Sequence, residues 1–245
     1  MKACFIILAG LSVVAVGLAQ RPGWNFARGF HGMGAAKVVT NEPYSATALT
    51  THTQTLANGN AINQSSCAKV YRDSAGRTRR EETRNSATCS ATPTAIFITD
   101  PVAGVRYLIN PQTSTYRQFT FKAPSAGSTA TATAQERPAN PNRVQTSLGT
   151  QAIAGTSLSS EGTQTVVTVP AGRFGNAQPI TMTSVRWYSP DLQVITQSSR
   201  TDPRNGTTAY QLTNISTAEP AESLFQLPTG LTLQQGPAGR GRRAP

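Results

Sequence analysis

Residues 67–84 read CAKVYRDSAGRTRREETR, and this stretch decides the fold. Its centre, DSAG, has the residues of a type I turn followed by a glycine in the left-handed region, the usual three-residue hairpin loop. Such a turn sets Lys69 opposite Glu81 and Tyr71 opposite Arg79. Opposite charges and a cation over an aromatic ring both stabilise these cross-strand pairs. The stretch therefore predicts an antiparallel β-hairpin.

Turn signals recur on both sides of this hairpin, and the segments between them are rich in Thr, Val, Ile and aromatic residues. We expect strands at 44–56, 62–72, 95–100, 105–109, 114–121, 151–158, 163–169, 180–188, 192–200 and 207–215. The turn at 101–104 sets Ile98 opposite Tyr107. One helical turn is expected at 221–225. The pattern predicts an all-β fold, an antiparallel meander that forms an incomplete barrel or a sandwich.

The N-terminal segment 1–19 has the pattern of a secretory signal peptide. Lys2 precedes an uncharged, mostly aliphatic run, and small residues at Gly17 and Ala19 end this run before Gln20. The run is shorter than the ~20 apolar residues that a membrane-spanning helix needs. An uncleaved membrane anchor is the alternative interpretation. We expect cleavage before Gln20, a secreted or periplasmic protein, and no transmembrane segment after cleavage.

Composition divides the rest of the chain into segments. Residues 20–42 are rich in Gly and Arg and are expected to form a flexible leader. Residues 43–235 have the size and patterning of a single all-β domain. Within it, residues 122–143 form a low-complexity insertion of Ala, Thr, Ser and Pro. Residues 236–245 are expected to be a disordered tail.

The formal net charge of +11 indicates which partners the protein attracts. Part of the excess lies near the ends of the chain, at Lys2, Arg21, Arg28, Lys37, Arg240, Arg242 and Arg243. Outside the cytoplasm, such charges attract an envelope protein, an acidic lipid or a polysaccharide. No nucleic-acid-binding motif accompanies the charge, so we expect no specific nucleic-acid partner.

Two cysteines, Cys67 and Cys89, remain after the expected removal of Cys4. Exported proteins meet an oxidising environment, so a Cys67–Cys89 disulfide is predicted. Two buried free thiols are the alternative.

Residue patterns typical of catalysis are missing from the sequence. It has no Gly-x-Ser-x-Gly elbow. Two histidines, His31 and His52, and two cysteines that are expected to pair do not readily supply the four ligands of structural zinc. We therefore predict no catalytic residues, no metal, no cofactor and no enzymatic activity.

The C-terminal third resembles the outer-membrane lipoprotein carrier and sorting-protein superfamily. The similar segments are WYSPDLQVI at 187–195, YQLTNI at 210–215 and SLFQLP at 223–228. The chain as a whole resembles uncharacterised secreted proteins of soil bacteria such as acidobacteria. The resemblance implies an incomplete antiparallel barrel with an apolar concave face that receives acyl chains. This sequence lacks the clear helices that cover the face in the carriers.

Alternation along the strands supplies candidates for such an apolar ligand face. They fall into three sets, which are Val185 with Trp187, Leu192 with Val194, and Tyr210 with Leu212. Composition and resemblance together predict an exported β-protein of the cell envelope or exterior that acts by binding, in a structural or interaction role. A lipid- or lipoprotein-binding carrier is the first alternative, and a hydrolase is the second.

Overall fold

The computed structural model describes residues 38–121 and 140–234. The predicted signal peptide 1–19 and tail 236–245 lie outside the described residues. So do most of the leader 20–42 and of the insertion 122–143. The predicted domain bounds therefore stay predictions.

The described residues form one open sheet of twelve strands that is not closed into a barrel. The strands are β1 Tyr44–Thr55, β2 Ala61–Arg72, β3 Thr78–Arg84, β4 Ala95–Asp100, β5 Val105–Asn110, β6 Thr115–Thr120, β7 Arg143–Ala152, β8 Ser159–Val169, β9 Ile180–Ser189, β10 Val194–Asp202, β11 Gly206–Ser216 and β12 Thr232–Leu233. Their order in the sheet is β12-β6-β5-β4-β3-β2-β1-β11-β10-β9-β8-β7. The all-β, antiparallel prediction is confirmed, and the expected helical turn is the 3-10 helix Glu222–Phe225.

Two antiparallel meanders, β1–β6 and β7–β11, meet where β1 pairs with β11. The strand β12 then adds to the far edge beside β6, in the parallel direction. The strands thus belong to one sheet, which agrees with an incomplete barrel rather than with two packed sheets.

The hairpin of β2 and β3 has the register that its sequence predicts. Lys69 lies opposite Glu81, and Tyr71 lies opposite Arg79. The carboxylate of Asp73 accepts hydrogen bonds from the backbone N–H and from Nε of Arg77, at 2.8 and 2.6 Å. The turn and its side-chain contacts therefore select the same pairing.

The prediction of a strand at 151–158 is wrong, because β7 spans Arg143–Ala152 and the chain turns after it. The Thr156 hydroxyl donates to the carbonyl of Ile153 and accepts from the N–H of Leu158, at 3.0 and 3.1 Å. These bonds favour a turn over an extended strand. β7 escaped the sequence analysis because it is an edge strand, largely exposed on both faces, and has no apolar alternation.

The two faces of the sheet differ in what they bury. The face that carries the buried residues Tyr44, Ala46 and Ala48 is called the inner face. These residues form a core cluster with apolar residues of neighbouring strands and with Ile153 and Leu192 from two loops. On the opposite, outer face, a second cluster consists of Ile96, Ile98 and Ile109, with Tyr107, Tyr116, Leu227 and Leu231 packed against it.

A disulfide joins Cys67 in β2 to Cys89 in the loop between β3 and β4, which confirms the predicted pairing. Cys67 is buried and Cys89 is half-buried. The bond ties a loop with little regular structure to the middle of the sheet. The alternative of two free thiols does not hold.

Asp202 is expected to make the stability of the sheet depend on pH. Its carboxylate accepts hydrogen bonds from the guanidinium and the backbone N–H of Arg204, at 2.8 and 3.0 Å, and from the amide of Asn205 at 3.3 Å. The bonds from Arg204 hold the pKa of Asp202 below its ordinary value. A depressed pKa in the folded state contributes stability above the unfolded-state pKa, and this contribution is lost as the pH falls through the folded-state pKa.

We therefore expect Asp202→Asn to lower the free energy of unfolding by about 1 kcal/mol near neutral pH, since Arg204 is partly exposed and screened. The difference from wild type should shrink as the pH falls below the ordinary carboxyl pKa and be lost below the lower folded-state pKa of Asp202. Urea unfolding at a series of pH values measures both effects. Asp191→Asn, at an exposed position, serves as the control. A constant difference between wild type and Asp202→Asn at every pH would contradict the assignment.

Candidate functional site

The cross-strand register gathers arginines on the inner face. Arg200 pairs with Thr208, which pairs with His52, and this row continues the face of Ala48. Following the paired residues from strand to strand in this way assigns each strand residue to a face of the sheet. The inner-face strand cations are Arg72, Arg80, Arg84, Arg106, Arg117, Arg143, Arg186 and Arg200, and the carboxylates are Glu82, Glu161 and Asp202. The inner face therefore carries an excess of positive charge.

An open groove of about 490 Å³ lies on the inner face of β7–β10. We call it the inner groove. Its lining residues are Arg143, Gln145, Glu161, Thr163, Thr165, Val167, Met182, Thr183, Ser184, Arg186, Tyr188 and Arg200. Val167 and Met182 are the two aliphatic side chains of this lining. The groove is thus a polar, cationic surface.

Strand alternation explains why these side chains converge. Every second residue of β8 and β9 faces the groove, and Thr163 lies opposite Arg186. On β10, Ser198 lies opposite Arg186 and Arg200 lies opposite Ser184. Strand pairing thus brings together residues that are far apart in the sequence.

The exposed groove arginines Arg143 and Arg200 have no carboxylate partner among residues 38–121 and 140–234. Arg143 and Arg200 make no ion pair there, whereas Arg77, Arg79 and Arg204 pair with nearby carboxylates at 2.6–2.8 Å. Both side chains are exposed. Their charge is therefore available to a ligand.

The third groove arginine, Arg186, is supported by an aromatic ring. Its guanidinium lies 5.1 Å from the centre of the Tyr188 ring, a cation–π contact. It also makes no ion pair within the described part of the chain. The contact orients the guanidinium while leaving its N–H groups free for an anion.

The floor of the groove offers hydroxyl groups. Thr163, Thr165 and Ser184 are half-buried, and their side chains have no hydrogen-bond partner among the described residues. Each hydroxyl can both donate and accept. The groove can therefore bind a ligand that has negative charges as well as hydroxyl groups.

The structure separates the six residues of the candidate apolar ligand face. Leu192, Val194 and Leu212 are buried in the core cluster of the inner face, and Tyr210 packs against that cluster. Val185 and Trp187 lie on the outer face, because their neighbour Arg186 pairs with the inner-face residue Ser198. The role of these six residues as ligand contacts stays a prediction.

On the outer face, Trp187 lies over a glycine. Gly162 pairs with Trp187, and a Cβ at Gly162 would stand 2.6 Å from the indole ring and 2.8 Å from Cβ of Leu148. The missing side chain gives the indole room to pack across β8. This contact accounts for Trp187 as a packing residue.

Beside the inner groove, Arg72 is buried within the core region. Its guanidinium donates to the carbonyls of Glu42 and Leu192, at 2.8 and 2.5 Å, and lies 4.8 Å from the centre of the Tyr44 ring. Burial lowers the pKa of Arg72. Its donors face backbone carbonyls and not a groove, so its role is structural.

The inner groove is not among the sites predicted from the sequence. Arg143 falls in the predicted low-complexity insertion 122–143, and part of the positive charge lies near the chain ends. A usable signal is present in β9 and β10, where Arg186 and Arg200 stand among Thr and Ser at alternating positions. The bulge in β10 between Ile195 and Gln197 obscures their shared face.

Metal clusters and membrane-spanning helices are both missing from the described part of the chain. Residues 38–121 and 140–234 contain no group of three or more His, Cys, Asp or Glu residues placed to hold a metal ion. In the same ranges, no helix has the length and hydropathy required to cross a membrane.

Solved structures are similar to this chain in fold, whereas no match was found by sequence. No protein-family model matches the sequence, and no curated protein matches it. An uncharacterised conserved protein from Thermus thermophilus aligns over 79% of this chain and 90% of its own, at 9% identity and a TM-score of 0.43. The MucA/MucB complex of Pseudomonas aeruginosa aligns over 79% of this chain and 58% of that chain, at 12% identity and a TM-score of 0.42. A LolA-superfamily protein from Nitrosomonas europaea aligns over 79% of this chain and 94% of its own, at 8% identity and a TM-score of 0.33.

Proteins of the lipoprotein-sorting class are thus among the structures that this chain resembles. At these identities and TM-scores, similarity does not establish a shared ligand. The function must be inferred from the residues of this chain.

Proposed function

We propose that this chain is an exported protein of the cell envelope or exterior that acts by binding an anionic ligand in the inner groove. The observation that carries the proposal is the convergence of Arg143, Arg186 and Arg200 on one open groove. Three guanidinium groups without carboxylate partners in the described ranges attract and hold anions through charge-assisted hydrogen bonds. The signal-peptide pattern of residues 1–19 supports a site of action outside the cytoplasm.

The composition of the groove favours this function over lipid carriage. Burial of an acyl chain requires a continuous apolar surface, because each methylene contributes about 0.8 kcal/mol only when it leaves water. Val167 and Met182 supply little such surface. Leu192, Val194 and Leu212 already pack against one another in the core. A carrier of acyl chains is therefore the less favoured alternative.

The proposal is tested with tripolyphosphate as a simple anionic probe on the mature chain, residues 20–245. In 1H–15N NMR spectra, we expect saturable shifts of the Nε–H signals of Arg143, Arg186 and Arg200. The side chain of Arg173, which is exposed and lies outside the groove, is the internal reference. Added salt should weaken the shifts, because exposed charges are screened.

Shifts that are absent from the groove, or that are equal at Arg173, would refute anion binding at this site. The export half of the proposal has its own readout. Protein recovered from outside the cytoplasm should begin at Gln20, and recovery of an intact Met1 there would overturn it.

A further inference from the structure

We propose that the ligand of the inner groove is an acidic polysaccharide, a chain of sugars with repeated carboxylate groups. This inference rests on the proposed function and adds the chemical class of the ligand. It follows from the spacing of the arginines, from the hydroxyl groups between them and from the single aromatic ring of the lining.

The spacing of the arginines suits a ligand with several negative charges. Arg186 and Arg200 stand on adjacent strands two positions out of register, so their Cα atoms are about 8 Å apart. Arg143 stands three strands from Arg200, which gives about 16 Å. A linear ligand with a negative charge on successive units can contact all three arginines along this span, and each guanidinium then binds its own anionic group.

The hydroxyl groups favour sugar over other polyanions. Between the arginines, the groove presents Thr163, Thr165 and Ser184, whose side chains have no partner among the described residues. Sugar hydroxyls both donate and accept hydrogen bonds, so they can pair with the donor and with the acceptor of each of these side chains. Polyglutamate-like polypeptides offer one backbone N–H per residue and no hydroxyl groups, and a polyphosphate chain offers neither.

Nucleic acid fits the groove less well. Proteins that bind single strands stack successive bases on several aromatic rings. The groove contains one aromatic ring, Tyr188, and the guanidinium of Arg186 lies over it. The remaining ring surface suits the apolar face of one sugar unit. Glu161, the one carboxylate of the lining, is placed to accept hydrogen bonds from sugar hydroxyls.

The test compares polymers by isothermal titration at equal ionic strength. Polygalacturonate supplies carboxylates and hydroxyls, poly-L-glutamate supplies carboxylates and backbone amides without hydroxyls, and dextran supplies hydroxyls without charge. We expect polygalacturonate to bind at least tenfold tighter per charged group than poly-L-glutamate, and dextran not to bind. Single-stranded DNA and vesicles of anionic phosphatidylglycerol should bind more weakly than polygalacturonate.

Substitutions locate the binding in the groove. Arg143→Gln, Arg186→Gln and Arg200→Gln should each weaken polygalacturonate binding about tenfold, which is the value of one charge-assisted hydrogen bond. Each should also reduce the slope of log affinity against log salt by about one. Glu161→Gln keeps an amide oxygen that can accept a hydrogen bond from a sugar hydroxyl and removes a charge that repels the polyanion, so it should tighten binding. Arg173→Gln is the matched control, and unchanged circular dichroism shows that the variants fold.

The possible outcomes separate the two proposals. Equal affinity for polygalacturonate and poly-L-glutamate would overturn the sugar assignment and leave anion binding in place. Tighter binding of DNA or of phosphatidylglycerol vesicles would replace the polysaccharide with that class. A loss of binding in Glu161→Gln would show that the ligand needs the negative charge of Glu161, which would overturn the assignment of a polyanion to the groove. A failure of tripolyphosphate to shift the groove arginines would overturn the proposed function itself.

Discussion

Gly206→Ala is expected to destabilise the protein by about 3 kcal/mol. Gly206 has a φ of +80°, in the left-handed region that disfavours residues with a Cβ. An added Cβ would also collide with the backbone carbonyl oxygen of Thr53 and stand 2.8 Å from Cα of Gln54. Backbone atoms in the centre of a sheet move less easily than side chains, so the clash adds about 1–3 kcal/mol of overpacking strain.

The position Gly59 provides the matched control. Its φ is +81°, and no atom lies within 4 Å of an added Cβ. Gly59→Ala therefore isolates the conformational cost, about 1 kcal/mol. Urea unfolding of both variants gives the difference between their free energies of unfolding. Equal losses would show that the contact between Gly206 and β1 is not close in solution.

Arg72→Ala is expected to lower the free energy of unfolding by about 3–4 kcal/mol. The substitution leaves the carbonyls of Glu42 and Leu192 without their donors, at about 1–3 kcal/mol for each buried group. It also removes the contact with the Tyr44 ring. Leu192 belongs to the core cluster, so the loss extends to the loop between β9 and β10.

Two further variants separate these contributions for Arg72. Arg72→Lys keeps the charge and most of the aliphatic stem but loses the planar fork, so we expect about half of the effect. Arg117→Ala removes an exposed arginine from the same face and should change stability by less than about 0.5 kcal/mol. Thermal and urea unfolding measure all three. A similar stability for Arg72→Ala and Arg117→Ala would contradict the structural role of Arg72.

Local chemistry explains which parts of the fold were predictable. The DSAG turn and the Lys69–Glu81 pair lie within a few residues of each other, so the sequence alone specifies their register. The same is true of Ile98 and Tyr107, which are opposite each other as expected. Turn residues and neighbouring pairs act over short separations, and these separations can be read directly from the chain.

Long-range pairing explains what escaped prediction. Nothing local indicates that β1 pairs with β11, since Thr53 and Thr207 meet only through the whole fold. The inner groove depends on this kind of information. Arg143 comes from an edge strand without apolar alternation, and Arg200 follows the β10 bulge. Their convergence requires the registers of three successive strand pairs.

The candidate apolar ligand face shows the same limitation. Alternation groups Val185 with Trp187, which share a face of β9, and Leu192 with Val194, although Leu192 lies in the loop before β10. It does not tell which face of the sheet each group occupies. The structure puts the first pair on the outer face and the second pair in the inner core.

The central position of β1 has a consequence for how the chain folds. Among the described strands, β1 is synthesised first, yet its second neighbour, β11, comes next to last. Until residues 206–216 are available, each meander presents a free edge, and exposed edges of this kind promote aggregation. Pairings between residues so distant in sequence form slowly, because a large loop must close first. We therefore expect the junction of β1 and β11 to form late in folding, and a chain that is shortened before β11 to retain two unfinished half-sheets.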